Sequence, residues 1–185
     1  KRIAARVREN HPDAEVIRYA WHYLSHEASD GIEAGNNRSL ELKPGDHGHL
    51  RGDGSEQAWT ITKICAEAFG AGHVVIRTPP SFSPGALSRR RFTAFVERHQ
   101  AEGLRLVWEP LGVWTLEEAA AFAGPLGVEI MGQALAMTGQ LLDFTGASWL
   151  RVSGGKEGRL RASHAEMLAV ELVESGLDGL CVAFE

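Results

Sequence analysis

Short apolar runs alternate with longer amphipathic stretches along the whole chain, and this alternation limits it to a few folds. The runs are rich in β-branched and aromatic residues, which favours strands. Their nearly continuous apolarity suits strands that are covered on both faces. The six runs are Val16–Leu24, His73–Thr78, Leu104–Trp108, Val128–Met131, Trp149–Val152 and Gly179–Phe184.

The stretches between these runs repeat their apolar residues at the three- and four-residue spacing of helices, as in Ser55–Phe69 and Ser88–Glu102. Thr115 and Ser163 each stand three residues before a Glu, which predicts two capping boxes. Gly132–Gly146 is a loop or a helix. Strands that alternate with helices predict a mainly parallel α/β sheet, either doubly wound or closed as a barrel.

Composition indicates a single domain over 1–185, interrupted by a long Gly- and Asn-rich loop at 29–54. The net charge of −5 disfavours nucleic acid as a partner. No apolar run is long enough to cross a membrane. The first residues lack the apolar segment of a signal peptide, and Cys65 and Cys181 are expected to be buried free thiols. We therefore expect a cytoplasmic protein, and no motif predicts a cofactor.

Several polar residues lie where strands are predicted to end, which is where ligands bind to parallel α/β sheets. His26 follows the first run and is a possible general base. Glu109 follows the third run, and Arg77 and Arg151 also end strands. The sequence leaves two interpretations open: an Arg–Glu–Arg cluster that binds an anion, or one that neutralises itself.

No metal site is predicted. The best metal-like cluster is Asp46-His-Gly-His49, where His47 and His49 are weak candidate ligands. A structural metal site needs a third or fourth fixed ligand, and a Gly-rich segment of this kind is typical of a solvated turn.

Three segments together resemble successive blocks of the YecE-like barrel family, a domain of unknown function. They are Val74-Val-Ile-Arg-Thr-Pro-Pro-Ser-Phe82, Val107-Trp-Glu-Pro-Leu-Gly-Val-Trp114 and Trp149-Leu-Arg-Val-Ser-Gly154. Tyr19–Glu27 resembles the block before them, and Gly179–Glu185 resembles the closing strand. The resemblance implies a TIM-barrel-like fold and no established reaction. It also places Trp114, Arg151 and Ser153 at a ligand-binding mouth.

Four mouth positions depart from the pattern of that family. Tyr19 stands where a Lys is usual, Arg77 where a Gln is usual, Leu111 where an Arg is usual, and Ser153 where a His is usual. The opening strands of the family are also missing, so about six of eight barrel strands are expected. A complete barrel has roughly 250 residues, so the resemblance implies an N-terminally short, incomplete barrel.

Two functions follow as expectations. The first is a non-catalytic interaction or regulatory scaffold, whose open sheet edges are covered by a protein partner or by a second copy of the chain. The alternative is a divergent barrel enzyme of hydrolase type that acts on a phosphorylated or glycosidic small molecule. In that enzyme Glu109 and His26 would be catalytic, and Arg77 and Arg151 would bind the substrate.

Overall fold

The computed structural model describes residues 5–6, 9–10, 12, 15–30, 45–136, 140–153, 160–175 and 179–184. These residues belong to two compact units, 1–114 and 115–185. The single domain predicted over 1–185 stays a prediction. Of the predicted loop at 29–54, residues 29–30 end a short 3₁₀ helix (Ala28–Asp30), 45–52 form turns and bends, and 53–54 begin a helix, while 31–44 lie outside the described residues.

In the first unit, three strands pair in parallel in chain order: β1 (Ile17–Tyr19), β2 (His73–Thr78) and β3 (Arg105–Pro110). Helix α1 (Asp53–Phe69) connects β1 to β2, and α2 (Ala86–His99) connects β2 to β3. The central strand is buried on both faces, as its apolar sequence predicted, with Val74, Val75 and Ile76 fully covered.

In the second unit, α3 (Leu116–Ala123) precedes three further parallel strands: β4 (Glu129–Gln133), β5 (Trp149–Val152) and β6 (Cys181–Phe184). Helix α4 (Ala162–Glu174) connects β5 to β6. The apolar core of the second unit contains Leu150, Val152, Phe144 and, from α4, Leu168. The predicted alternation of parallel strands and helices is therefore confirmed, because all six strands overlap the predicted runs.

The structure tests three local predictions about helices. Thr115 caps α3 as predicted, since its Oγ1 accepts a hydrogen bond from Glu118 N at 3.1 Å. The capping box at Ser163 is wrong, because the N-cap of α4 is Arg161, two residues earlier. In the described part of Gly132–Gly146 there is no helix, and Leu135 forms an antiparallel bridge with Leu141.

Both cysteines are free, but the prediction that both are buried is wrong. Cys65 is half-buried on α1. Cys181 is exposed on β6, which pairs only with β5 among the described residues. Within the described ranges, no helix is long and apolar enough to cross a membrane.

Candidate functional site

Three polar side chains project from the same face of the first sheet near the carboxyl ends of its strands. The parallel register places Tyr19 opposite Val75 and Arg77 opposite Glu109. Alternate residues of a strand face the same side, so Arg77 projects on the side of Val75 and hence of Tyr19. Short strands that end together thus bring Tyr19, Arg77 and Glu109 to one place.

Glu109 accepts two hydrogen bonds on one carboxylate oxygen. Arg77 Nε donates to Oε2 at 2.7 Å, and the Tyr19 hydroxyl donates to the same atom at 3.0 Å. The guanidinium carbon of Arg77 also lies 4.8 Å from the centre of the Tyr19 ring, a cation–π contact. We call these three residues the Glu109 triad.

The Glu109 triad pairs a buried carboxylate with two half-buried partners, and its charges balance. Glu109 is only 2% exposed, and the side chain of Arg77 is 30% exposed. Burial by itself lowers the pKa of Arg77, but the hydrogen bond and charge of Glu109, with a smaller contribution from Tyr19, outweigh it and raise that pKa overall. The arginine is therefore a permanent cation held against a buried carboxylate.

His26 lies in the turn that follows β1 and forms a pair with Ser25. The Ser25 hydroxyl donates to the Arg77 carbonyl at 2.5 Å, and Ser25 Oγ lies 2.9 Å from His26 Nδ1. A hydroxyl has one proton to donate, so the hydrogen-bond network assigns the proton of this second contact to His26 Nδ1. Burial lowers the pKa of His26, which leaves its Nε2 as a neutral base.

A second polar cluster follows β1 and β2, and sequence reasoning missed it. Ser81 Oγ lies 3.0 Å from His49 Nε2, and His49 Nδ1 lies 3.6 Å from Glu27 Oε1. The Ser81 hydroxyl also donates to Asp30 Oδ1 at 2.7 Å, and Arg51 Nη2 donates to Glu27 Oε1 at 2.8 Å. Two separate signals were available in the sequence: His49, named only as a weak metal candidate, and Ser81, directly after the Pro-Pro pair that follows β2.

His49 is held by an unusual backbone. Gly48, His49 and Leu50 all have positive φ, at +86°, +48° and +58°. Left-handed residues in succession are rare for L-amino acids and cost about 1–2 kcal/mol each. Here their three amides donate to the carbonyls of the turn at 23–25, at 2.9 to 3.0 Å.

The two weak metal candidates have different surroundings. His47 is 4% exposed and packs edge-on against Tyr23, with 5.0 Å between ring centres. His49 contacts Ser81 instead. Among the described residues, no group of three His, Cys, Asp or Glu side chains is arranged to hold a metal ion.

The remaining predicted site residues lie apart from these two clusters or in the second unit. Trp114 is buried, donates its indole N–H to the Phe82 carbonyl at 2.7 Å, and lies beneath the guanidinium of Arg89. Arg151 Nη2 donates to Gln133 Oε1 at 3.0 Å within the second unit. Ser153 follows β5 and is half-buried.

Two surface cavities lie along α1, away from both polar clusters. One has a volume of about 510 Å³ and is lined by Lys63, Ile64 and Glu102 among others. The other, of about 300 Å³, is lined by Glu56, Gln57, Thr60 and Ile61. Neither is lined by a predicted site residue.

The chain matches no known family model and no curated protein. It is similar to a solved structure, the AP endonuclease, family 2, from Brucella melitensis. The TM-score is 0.52 at 13% identity, and the match covers 98% of this chain and 75% of that one. That protein is a TIM-barrel enzyme, so the likeness confirms a partial TIM-barrel-like α/β fold and, at this identity, the fold alone.

Proposed function

We propose that the chain is a divergent YecE-like barrel that acts as a non-catalytic interaction or regulatory scaffold. The observation that most supports this is the closed Glu109 triad. A catalytic carboxylate needs an oxygen available to the substrate, whereas Glu109 is 2% exposed and shares one oxygen between a cation and a hydroxyl. Such a group stabilises the ends of β1, β2 and β3 against one another.

The positions of the departures from the YecE-like pattern give further support. Tyr19 replaces a Lys and Arg77 replaces a Gln, and both of these residues bind Glu109. In the YecE-like pattern the positive charge stands on the first of these strands, at position 19, whereas in this chain it stands on the second, at position 77. The guanidinium of Arg77 donates from Nε to Glu109 and lies over the ring of Tyr19. We interpret the departures as a rebuilt structural contact in place of a reactive site.

The scaffold proposal is tested by two measurements on the whole chain. Light scattering after gel filtration is expected to show a homo-oligomer or a complex with a protein partner, because the proposal requires one. Turnover of p-nitrophenyl phosphate and p-nitrophenyl glycosides through Glu109 or His26 is expected to be absent. A monodisperse monomer without any partner would contradict the proposal. So would turnover that falls by about a hundredfold or more in E109Q or H26A, the loss expected for a general acid or base.

A hydrolase-type barrel enzyme is the second candidate, and one observation favours it. Two histidines in the connection that follows β1, His26 and His49, each lie within 3.0 Å of a serine hydroxyl oxygen. Burial lowers the pKa of both histidines, so both imidazoles are neutral near pH 7 and can accept a proton. Neither pair uses Glu109.

A further inference from the structure

We infer that Ser81 is an activated nucleophile, with His49 as its base and Glu27 as the carboxylate that orients the base. The inference rests on the second candidate function, the hydrolase-type enzyme, and assigns its site outside the Glu109 triad. The expected ligand is a small electrophile that transfers an acyl or phosphoryl group, such as a carboxylic or phosphoric ester.

The three side chains lie in the order that nucleophilic catalysis requires. The nucleophile Ser81 Oγ lies 3.0 Å from His49 Nε2, and the other ring nitrogen, Nδ1, lies 3.6 Å from Glu27 Oε1. A base between a nucleophile and a carboxylate is the arrangement of the serine hydrolase triads, which occurs on unrelated folds. Contacts of this kind are often longer without substrate than in the reacting complex.

Exposure differs between the members as the proposed roles demand. Ser81 is exposed and therefore accessible to a ligand, while the His49 side chain is only 14% exposed. Burial, opposed by the charges of Glu27 and Asp30, lowers the pKa of His49. An imidazole in this state is neutral at physiological pH and is a stronger base than a carboxylate.

Asp30 competes with His49 for the proton of Ser81. The hydroxyl donates to Asp30 Oδ1 at 2.7 Å. When His49 carries its proton on Nδ1, which faces Glu27, a rotation about the Cβ–Oγ bond of Ser81 redirects the hydroxyl toward the unprotonated Nε2. Asp30 is itself fixed, because its Oδ2 accepts a hydrogen bond from the Glu27 amide at 2.8 Å. We assign the proton to His49 because imidazole is the more basic acceptor, and the variants below separate the two.

The surroundings position the base and the carboxylate. Arg51 Nη2 donates to the same oxygen of Glu27 that faces His49, at 2.8 Å, which fixes that carboxylate. The ring of His49 packs edge-on against Phe82, the residue after Ser81, with 5.6 Å between ring centres. The left-handed backbone at 48–50 is a conformational cost of the kind that functional sites retain.

The reaction of Ser81 with a fluorophosphonate is the direct test. In that step a bond forms between Ser81 Oγ and phosphorus, and the phosphorus–fluorine bond breaks. Fluoride leaves with the bonding electrons, and the hydroxyl proton passes to His49 Nε2. The full chain is incubated with a biotin-tagged fluorophosphonate, the labelling rate is measured, and the adduct is located by peptide mass spectrometry.

The inference expects a single adduct on Ser81 that is absent in S81A. H49A is expected to slow labelling by about a hundredfold or more, as for a lost general base. E27Q is expected to slow it less. S83A is the matched control, since Ser83 is exposed two residues further on, and it should label like the unmodified chain.

Three results would overturn the inference. The first is the absence of labelling on a chain whose circular dichroism shows it to be folded. The second is an adduct on another residue. The third is a rate that falls in D30N and not in H49A, which would make Asp30 the base. None of these depends on Glu109, so failure here is distinguishable from the E109Q and H26A measurements on the scaffold.

Discussion

Among single residues, Glu109 is the buried charge that holds the carboxyl ends of β1, β2 and β3 together. Its charge is buried with Arg77 and Tyr19 as partners. Removing one member of a buried ion pair costs more than the pair contributes, because the other charge is left desolvated. This asymmetry can be measured.

We expect R77Q to lower the free energy of unfolding by about 2–4 kcal/mol, because Glu109 loses its cation in a buried position. E109Q should destabilise by a similar amount. The double variant R77Q/E109Q should recover at least about 1 kcal/mol of the summed loss, since the two residues are in contact. Urea unfolding provides all three values. Simple additivity would show that the two side chains are not coupled.

Gly48 is a second residue with a measurable role. A Cβ built there would lie 2.5 Å from the His26 carbonyl oxygen, and its φ is +86°. We expect G48A to destabilise by more than the roughly 1–2 kcal/mol of a left-handed residue, because the backbone also clashes. Gly45 is a suitable control, since its φ is +88° and its Cβ would meet nothing within 4 Å. Equal losses in G45A and G48A would exclude the clash.

Among the secondary structure elements, the starts of α3 and α4 show that the same capping sequence can have different outcomes. Both Thr115 and Ser163 precede a Glu by three residues, but only Thr115 lies at an N-cap. We expect T115A to destabilise by about 1 kcal/mol, the usual cost of losing a cap. S163A should stay within about 0.5 kcal/mol, as for a surface substitution. Thermal unfolding of the two variants compares them directly, and a larger loss in S163A would restore the predicted capping box.

The strands were predictable from sequence because burial on both faces leaves continuous apolar runs. Arg77 and Glu109 were predictable as site candidates because each ends such a run. The contact of Tyr19 with Glu109 was not, since a tyrosine beside apolar residues gives no sign of where its hydroxyl points. Ser81 and His49 are 32 positions apart, and only the packing of two turns brings them together.

At the scale of the whole molecule, three histidines contribute to the response of stability to acid in the same direction. Burial lowers the pKa of His22, His26 and His49 below the ordinary value of 6.5. The charge of His47 lowers that of His22 further. In each case the unfolded chain binds a proton before the folded chain does.

We therefore expect the free energy of unfolding to be constant above about pH 7 and to fall as the pH drops through 6.5. Glu27 acts in the same direction at lower pH: its pKa is lowered from 4.5, chiefly by the hydrogen bond from Arg51, so its contribution to stability is lost only in stronger acid. Urea midpoints between pH 7.5 and 5 at constant ionic strength test this. H22Q should flatten the slope, and a stability that rises toward pH 5 would contradict the expectation.

The scaffold and the enzyme proposals each depend on a feature of the whole fold. The scaffold proposal expects a partner or a second copy of the chain to cover the open edges of an incomplete barrel. The same arrangement brings the turns after β1 and β2 together, which places Ser81 beside His49. Light scattering addresses the first consequence and fluorophosphonate labelling the second.

The indole of Trp114 gives the first unit an optical reporter. Its N–H is bonded to the carbonyl of Phe82, next to Ser81, and its ring meets Trp108 edge-on and Arg89 from above. The emission of an indole depends on its hydrogen bond and on nearby charge. Any ligand that displaces the turn at Ser81 should therefore change the intrinsic fluorescence of the chain, so binding can be followed without a label, and W114F identifies the source of the signal.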